Sequence, residues 1–203
     1  MMIPMTEMQK SALLEAGNIG SGHAAIALSQ LMGRKIMIAV PLVEVYEGKD
    51  MQKIFSHPQQ MLSLVSVKVL GDTTGIMLFS LDQEKAFSLC EIVMGQAHGS
   101  LKAFGELETS ALKEVASIVT ASYLNALSEM TGLSLIVSVP EYYACKGVEV
   151  KEFLAKKDIK MNALKDFLCI KTEFIEADTR IEGYLLFVPE EQSVQKILAA
   201  LGV

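Results

Sequence analysis

Residues Ser11 to Pro41 read SALLEAGNIGSGHAAIALSQLMGRKIMIAVP, and residues Ser110 to Pro140 read SALKEVASIVTASYLNALSEMTGLSLIVSVP. The stretches align without a gap, offset by 99 at the serine (110 − 11) and again at the proline (140 − 41). Each reads as a long helix followed by a strand. Two copies, widely spaced in 203 residues, mark a duplicated half-domain and not a solenoid of many short units. The duplication predicts an α+β fold with pseudo-two-fold symmetry. A central, largely antiparallel sheet takes strands from both halves, and the two long helices pack on one face.

At about 100° per residue, Ser11, Glu15, Asn18 and Gly22 fall in one narrow stripe of the first helix. Leu13, Gly17, Gly20, Ala24, Leu28 and Leu31 lie opposite, and that side is predicted to be buried. The Glu15–Asn18 side lacks bulky apolar groups and is predicted to face water, with the carboxylate and carboxamide as neighbours three residues apart. Asparagine is a mediocre helix former that competes for its own backbone, so its place mid-helix asks for a reason. The second copy keeps Ser110 and Glu114 but puts Ser117 where Asn18 stood. Chemistry that needs the carboxamide is therefore expected at the first site only. The run GNIGSG lacks the G-x-G-x-x-G order of a phosphate loop and does not follow a strand. Close packing of the two long helices explains it better, although each glycine costs about 1 kcal/mol against alanine.

The pattern Ser-x3-Glu-x2-Asn, then 22 residues, then Pro, resembles the signature of the CheC / CheX / FliY family of chemotaxis phosphatases. Ser11, Glu15, Asn18 and Pro41 carry it in the first copy; Ser110, Glu114 and Pro140 carry it in the second. Two copies resemble the CheC layout most. The resemblance implies a cytoplasmic monomer that removes the phosphoryl group from the aspartate of a CheY-like response regulator. Asn18 would orient the attacking water and Glu15 would engage the regulator, while Glu114 and Ser117 would form a degenerate second site. The protein would need no cofactor of its own, and Mg²⁺ would belong to the regulator. His23 lies off the Glu–Asn stripe and receives no role. The alternative is a non-catalytic adaptor for CheD, a receptor deamidase, or for the flagellar switch. In the family, CheD docks on the second half through a segment matching residues 141–160, where an acidic residue mimics its substrate. Cys145 stands near that position here, which leaves CheD docking open.

The rest of the chain fits this frame as one domain of two half-repeats, about 6–95 and 105–203. Thr6 and Glu7 open the first helix, and Gly33 stops it. A strand follows from Ile36 to Val45, with Pro41 marking an edge or a bulge. Residues 47–60 are polar. Met61–Leu70 and Gly75–Leu81 read as a hairpin, and Asp82 as the cap of a helix ending near Met94. GQAHGSLK, residues 95–102, links the halves. The second long helix runs from about Gly105 to Met130, and its strand reaches Val139. Ser11 and Ser110 are candidate caps as well as motif positions. GYLLFVPEEQSVQKI at 183–197 repeats GIMLFSLDQEKAFSL at 75–89 with offset 108 (183 − 75), so the second half gains nine residues (108 − 99) within 141–182. The helix-like VEVKEFLAKKD lies in that region.

Composition excludes several classes. The net charge of −6 argues against nucleic acid, which needs a basic face. Cys90, Cys145 and Cys169 are odd in number and dispersed, as expected in a reducing compartment, and the three histidines form no metal-ligand cluster. No apolar run approaches the roughly 18 residues of a membrane-spanning helix.

Overall fold

The computed structural model describes residues 5–54, 59–157, 166–177, 179–190 and 193–203. Helix α1 spans Glu7–Met32. Thr6 caps it: its Oγ1 accepts from Gln9 N (3.1 Å) while Gln9 Oε1 accepts from Thr6 N (3.0 Å). Such a reciprocal cap satisfies two otherwise orphaned donors. Gly33 ends the helix in the left-handed region, at φ 62°. Its counterpart α3 spans Glu106–Thr131, opens with Gly105 N donating to Glu108 Oε2 (2.8 Å), and ends at Gly132 with φ 70°. Ser11 and Ser110 sit inside these helices, so neither is a cap.

Among the described residues, seven strands form one antiparallel sheet. They are β1 (Met37–Glu47), β2 (Met61–Gly71), β3 (Gly75–Asp82), β4 (Leu135–Val137), β5 (Glu141–Lys146), β6 (Asp166–Glu176) and β7 (Thr179–Pro189). The order is β1-β6-β7-β3-β2-β4, with β5 also pairing with β2. β3 and β7 meet at the centre, where Leu78 faces Leu186. These two residues are also equivalent by the repeat, at offset 108 (186 − 78). The pseudo-two-fold axis therefore passes between them.

Pro41 lies where both of its predicted readings hold. β1 is an edge strand, and its register with β6 shifts between Ala39 and Leu42. At the equivalent point of the second half the strand breaks outright. β4 stops at Val137, short of the expected Val139, and β5 resumes after Pro140. A proline has no N–H for the ladder, so each half interrupts its pairing there.

The sheet is buried on both faces, and period-2 alternation sorts its residues between them. Val65, Val69, Met77, Phe79, Leu168, Ile170, Leu185 and Phe187 face α1, α3 and two shorter helices, α2 (Gln83–Met94) and α5 (Ser193–Ala200). Leu62, Leu64, Ile76, Leu78, Phe167, Cys169, Leu186 and Val188 form a second layer with Met51, Val150, Phe153 and Leu154. Met51 lies in a 3-10 turn, Gly48–Ile54; the other three lie on α4, Val150–Ala155. Buried Gly48 and Gly147 are 99 apart, as are Met51 and Val150, each fully buried. Within the helix-like VEVKEFLAKKD, α4 is the repeat counterpart of the 3-10 turn, and the additional residues follow it. Residues 158–165, between α4 and β6, lie outside the described residues.

Two further expectations change. Asp82 occupies the cap position of α2 without bonding a helix N–H, and its carboxylate instead faces Lys85 at 3.4 Å. Leu31 is 54% exposed, while Leu28 and Met32 carry the contact of the last turn with the core.

The linker between halves is held by a buried carboxylate. Glu91 accepts from Gly99 N (2.9 Å) and Leu101 N (2.8 Å), with His98 Nδ1 at 3.3 Å. Burial alone would raise its pKa, but the bonds from Leu101 and Gly99 and the His98 ring outweigh it, and the net displacement is downward. The stability this provides is fully present above the unfolded carboxylate pKa of about 4.3 and is lost as pH falls through the lowered folded value. Glu91→Ala is expected to cost about 1–3 kcal/mol at neutral pH, since it orphans two N–H groups. Its deficit against wild type should shrink in urea unfolding repeated near pH 3.

Candidate functional site

α1 lies on the sheet beside α3, and what it buries decides what it shows. Leu13, Ala16, Gly17, Gly20, Ser21, Ala24 and Leu28 are buried. Gly20 meets α3 so closely that an added Cβ would lie 2.7 Å from Tyr123 Cα, whereas Gly17 rests on Val40 and Val43 of β1. Helix packing thus accounts for Gly20, and sheet packing for Gly17. Ser11, Glu15, Asn18 and Gly22 are all exposed, along the predicted stripe. His23 is exposed as well, off that stripe.

The Glu15 and Asn18 side chains make no hydrogen bond or ion pair with any described residue, so both are free to meet a partner. The Asn18 backbone is fixed from below: buried Ser21 donates Oγ–H to the Asn18 carbonyl (2.9 Å). The sequence reading passed over Ser21. Its signal was a polar residue on the apolar side of the wheel. The equivalent Thr120 is also buried, and its hydroxyl finds no described partner.

The second copy is built differently. Ser110 and Glu114 are exposed, as are Ser11 and Glu15. Ser117, however, is half-buried and donates its hydroxyl to Lys113 O (2.8 Å). Such back-bonding to the preceding turn folds a serine against its own helix. Pro41 lies on β1 and Pro140 in the break between β4 and β5, outside both Glu stripes, and both serve the fold.

None of the three thiols is activated. Burial pushes Cys90 and Cys169 up to about 12 and half-buried Cys145 up to about 11, with Glu108 and Glu91 adding to the rise at Cys90, Glu44 at Cys169 and Glu149 at Cys145. Cys145 on β5 packs against the second apolar layer. Among the described residues no group of three His, Cys, Asp or Glu side chains could hold a metal, and no helix is long and apolar enough to cross a membrane.

Fold and site together define a pseudo-symmetric, duplicated α+β protein that displays a Glu–Asn pair on one motif helix and a Glu–Ser pair on the other. A family model described as CheC-like matches residues 8–45 and 107–143, the two motif units. The chain is 30% identical to the CheY-P phosphatase CheC of Bacillus subtilis, covering 97% of this chain and 95% of that protein. It belongs to the CheC-like family. The flagellar motor switch phosphatase FliY of Bacillus subtilis is 26% identical over 67% of this chain and 35% of its own length. Among solved structures, Thermotoga maritima FliY superposes with a TM-score of 0.78 at 22% identity over 98% of both chains. The FliM middle domain from H. pylori gives 0.65 at 14% identity, over 97% of this chain and 99% of that one. The structural likenesses establish the shared fold.

Proposed function

We propose that this protein hydrolyses the phosphoaspartate of a CheY-like response regulator in chemotaxis signalling. Asn18 orients the attacking water and Glu15 engages the regulator. The single observation that carries this reading is the Glu15–Asn18 pair: two polar side chains, adjacent, exposed and without partners among the described residues.

Phosphoryl transfer asks a protein mainly for positioning and electrostatics. A carboxamide offers both an acceptor and donors. The Asn18 Oδ1 accepts from the water while its N–H group donates to a phosphoryl oxygen, which sets the water in line with phosphorus. The new bond joins water oxygen to phosphorus; the bond that breaks joins phosphorus to the aspartyl oxygen. Inorganic phosphate and a free aspartate result, and the water proton leaves with phosphate or solvent. Glu15, one turn away, presents a carboxylate to a cationic group of the regulator. The regulator's own Mg²⁺ would neutralise the phosphoryl charge. Ser117 is shorter than asparagine and its hydroxyl is already bonded to Lys113 O, so the second site lacks this geometry.

The test is phosphate release from a phosphorylated regulator with and without the protein. Ser117→Ala is expected to leave the rate within about twofold of wild type, because surface changes away from a working site stay near ±0.5 kcal/mol. A loss at Ser117 equal to that at Asn18 would overturn the division between sites. The second reading is an adaptor binding CheD or the flagellar switch. In its favour, Ile136 and Val139 are 58% and 82% exposed at the β4 end of the sheet. No acceleration by wild type at saturating regulator would favour it.

A further inference from the structure

The two copies diverge along one line. On the wet stripe of α1 the residues at four- and three-residue steps are Ser11, Glu15, Asn18, Gly22 and Ile26. Their equivalents on α3, each 99 further on, are Ser110, Glu114, Ser117, Ala121 and Asn125. The first two positions are identical, and the last three all differ. The second site has therefore lost more than its asparagine; everything on the stripe beyond the glutamate has changed.

Gly22 has no structural reason to be glycine. It lies mid-helix and is exposed, and an added Cβ would meet nothing within 4 Å. Alanine is accepted at the equivalent Ala121 in the same helical conformation. One turn further, Ile26 is 60% exposed, a large apolar side chain facing water. A helix-weakening residue without internal contacts and an unpartnered isoleucine, continuous with Glu15 and Asn18, call for something outside the chain.

We propose that Gly22 and Ile26 are docking residues of the first site: Gly22 is a notch for a backbone loop of the phosphorylated receiver domain, and Ile26 is the apolar anchor beside it. The inference rests on the phosphatase reading above. Receiver domains of the doubly wound class carry their ligand at the carboxyl ends of the strands, ringed by loops. Asparagine is short, so its amide reaches a phosphoryl group among those loops only if the α1 backbone comes down onto them. At about 1.5 Å rise per residue, Gly22 is about 6 Å along the axis from Asn18 and Ile26 about 12 Å. A neighbouring loop would cross Gly22 and reach Ile26.

The test uses full-length wild type, Gly22→Ala, Ile26→Asn and, as a control off the stripe, Leu31→Asn. Three quantities are read: thermal midpoint, steady-state phosphate release from the phosphorylated receiver, and affinity for the receiver loaded with Mg²⁺ and beryllofluoride. Gly22→Ala is expected to raise the thermal midpoint by about 2–4 °C, since alanine replaces glycine in an exposed helix. It is also expected to raise KM and weaken affinity about tenfold, the size of a modest steric clash, with kcat within about threefold. Ile26→Asn should weaken affinity similarly, and Leu31→Asn should change neither KM nor affinity. A more stable but weaker-binding Gly22→Ala protein is not explained by a structural role. Wild-type activity with unchanged KM and affinity in Gly22→Ala overturns the docking assignment and leaves the phosphatase reading standing. Wild type that binds the loaded receiver without hydrolysis, and loses binding in Gly22→Ala, overturns the phosphatase reading and leaves docking standing.

Discussion

Replacing Asn18 by alanine is expected to slow phosphate release from a phosphorylated CheY-like regulator by roughly 10²–10³-fold, equivalent to about 3–4 kcal/mol of lost transition-state stabilisation. The fold should not suffer. Asn18 is exposed, its side chain has no partner among the described residues, and Ser21 holds its backbone carbonyl, which alanine retains. Alanine is the better helix former, so the thermal midpoint should hold or rise slightly. The kinetic signature follows from the assigned role. A group that orients water acts in the transition state more than in the bound complex, so kcat should fall while KM stays close to wild type. Single-turnover decay of phosphorylated regulator at saturating protein isolates that step. A variant retaining more than about a tenth of wild-type rate would remove Asn18 from the chemistry, because the loss of one well-placed polar group is larger than that.

That prediction could be framed from residues 11–41 alone, and why it could is instructive. A helix converts spacing into facing through a fixed rotation, so Glu15 and Asn18 on the wet side, and Leu13, Ala24 and Leu28 on the dry side, follow from arithmetic. Pro41 was equally legible, because a residue without an N–H must sit at an edge or a bulge, and here it sits at both. What stayed hidden depended on contacts between distant segments. Leu31 lies on the predicted dry side of the wheel, but in that turn Leu28 and Met32 make the core contact and Leu31 is left exposed. Gly17, Gly20 and Gly22 look alike in a string, yet one faces strand β1, one faces the α3 backbone and one faces water. The repeat relation between the Gly48–Ile54 turn and α4 escaped notice because little identity survives there beyond the glycine shared at 48 and 147: Met51 corresponds to Val150, and Lys49 to Val148. Strand β5 was missed for a related reason. EYYACK is half-buried on an outer strand and lacks the apolar run of β2 or β3.

Gly20→Val should produce the opposite result: a large loss of stability with little change in chemistry. A Cβ at position 20 would stand 2.7 Å from Tyr123 Cα and 3.2 Å from Ser122 O. Both are backbone atoms of α3, so neither can swing aside as a side chain can. At Gly17 the nearest atom is instead a methyl of Val40 at 3.3 Å, which can yield. Valine adds two branches to the clashing Cβ, and the long helices must separate over the core that Leu13, Leu28, Leu112 and Tyr123 share. Overpacking of this kind costs about 3 kcal/mol at the upper end of its usual range. In a chain of this length that lowers the thermal midpoint by about 6–12 °C. Glu15 and Asn18 ride on one helix and both face water, so their mutual geometry does not depend on the distance between helices. The folded fraction of Gly20→Val, assayed well below its midpoint, should therefore keep kcat within about threefold of wild type, the margin left by small shifts in how α1 is presented. An unchanged midpoint would mean that the helices do not approach as closely as the 2.7 Å figure requires. A preserved midpoint combined with lost activity would place chemistry on the α1–α3 contact itself, where neither Glu15 nor Asn18 reaches.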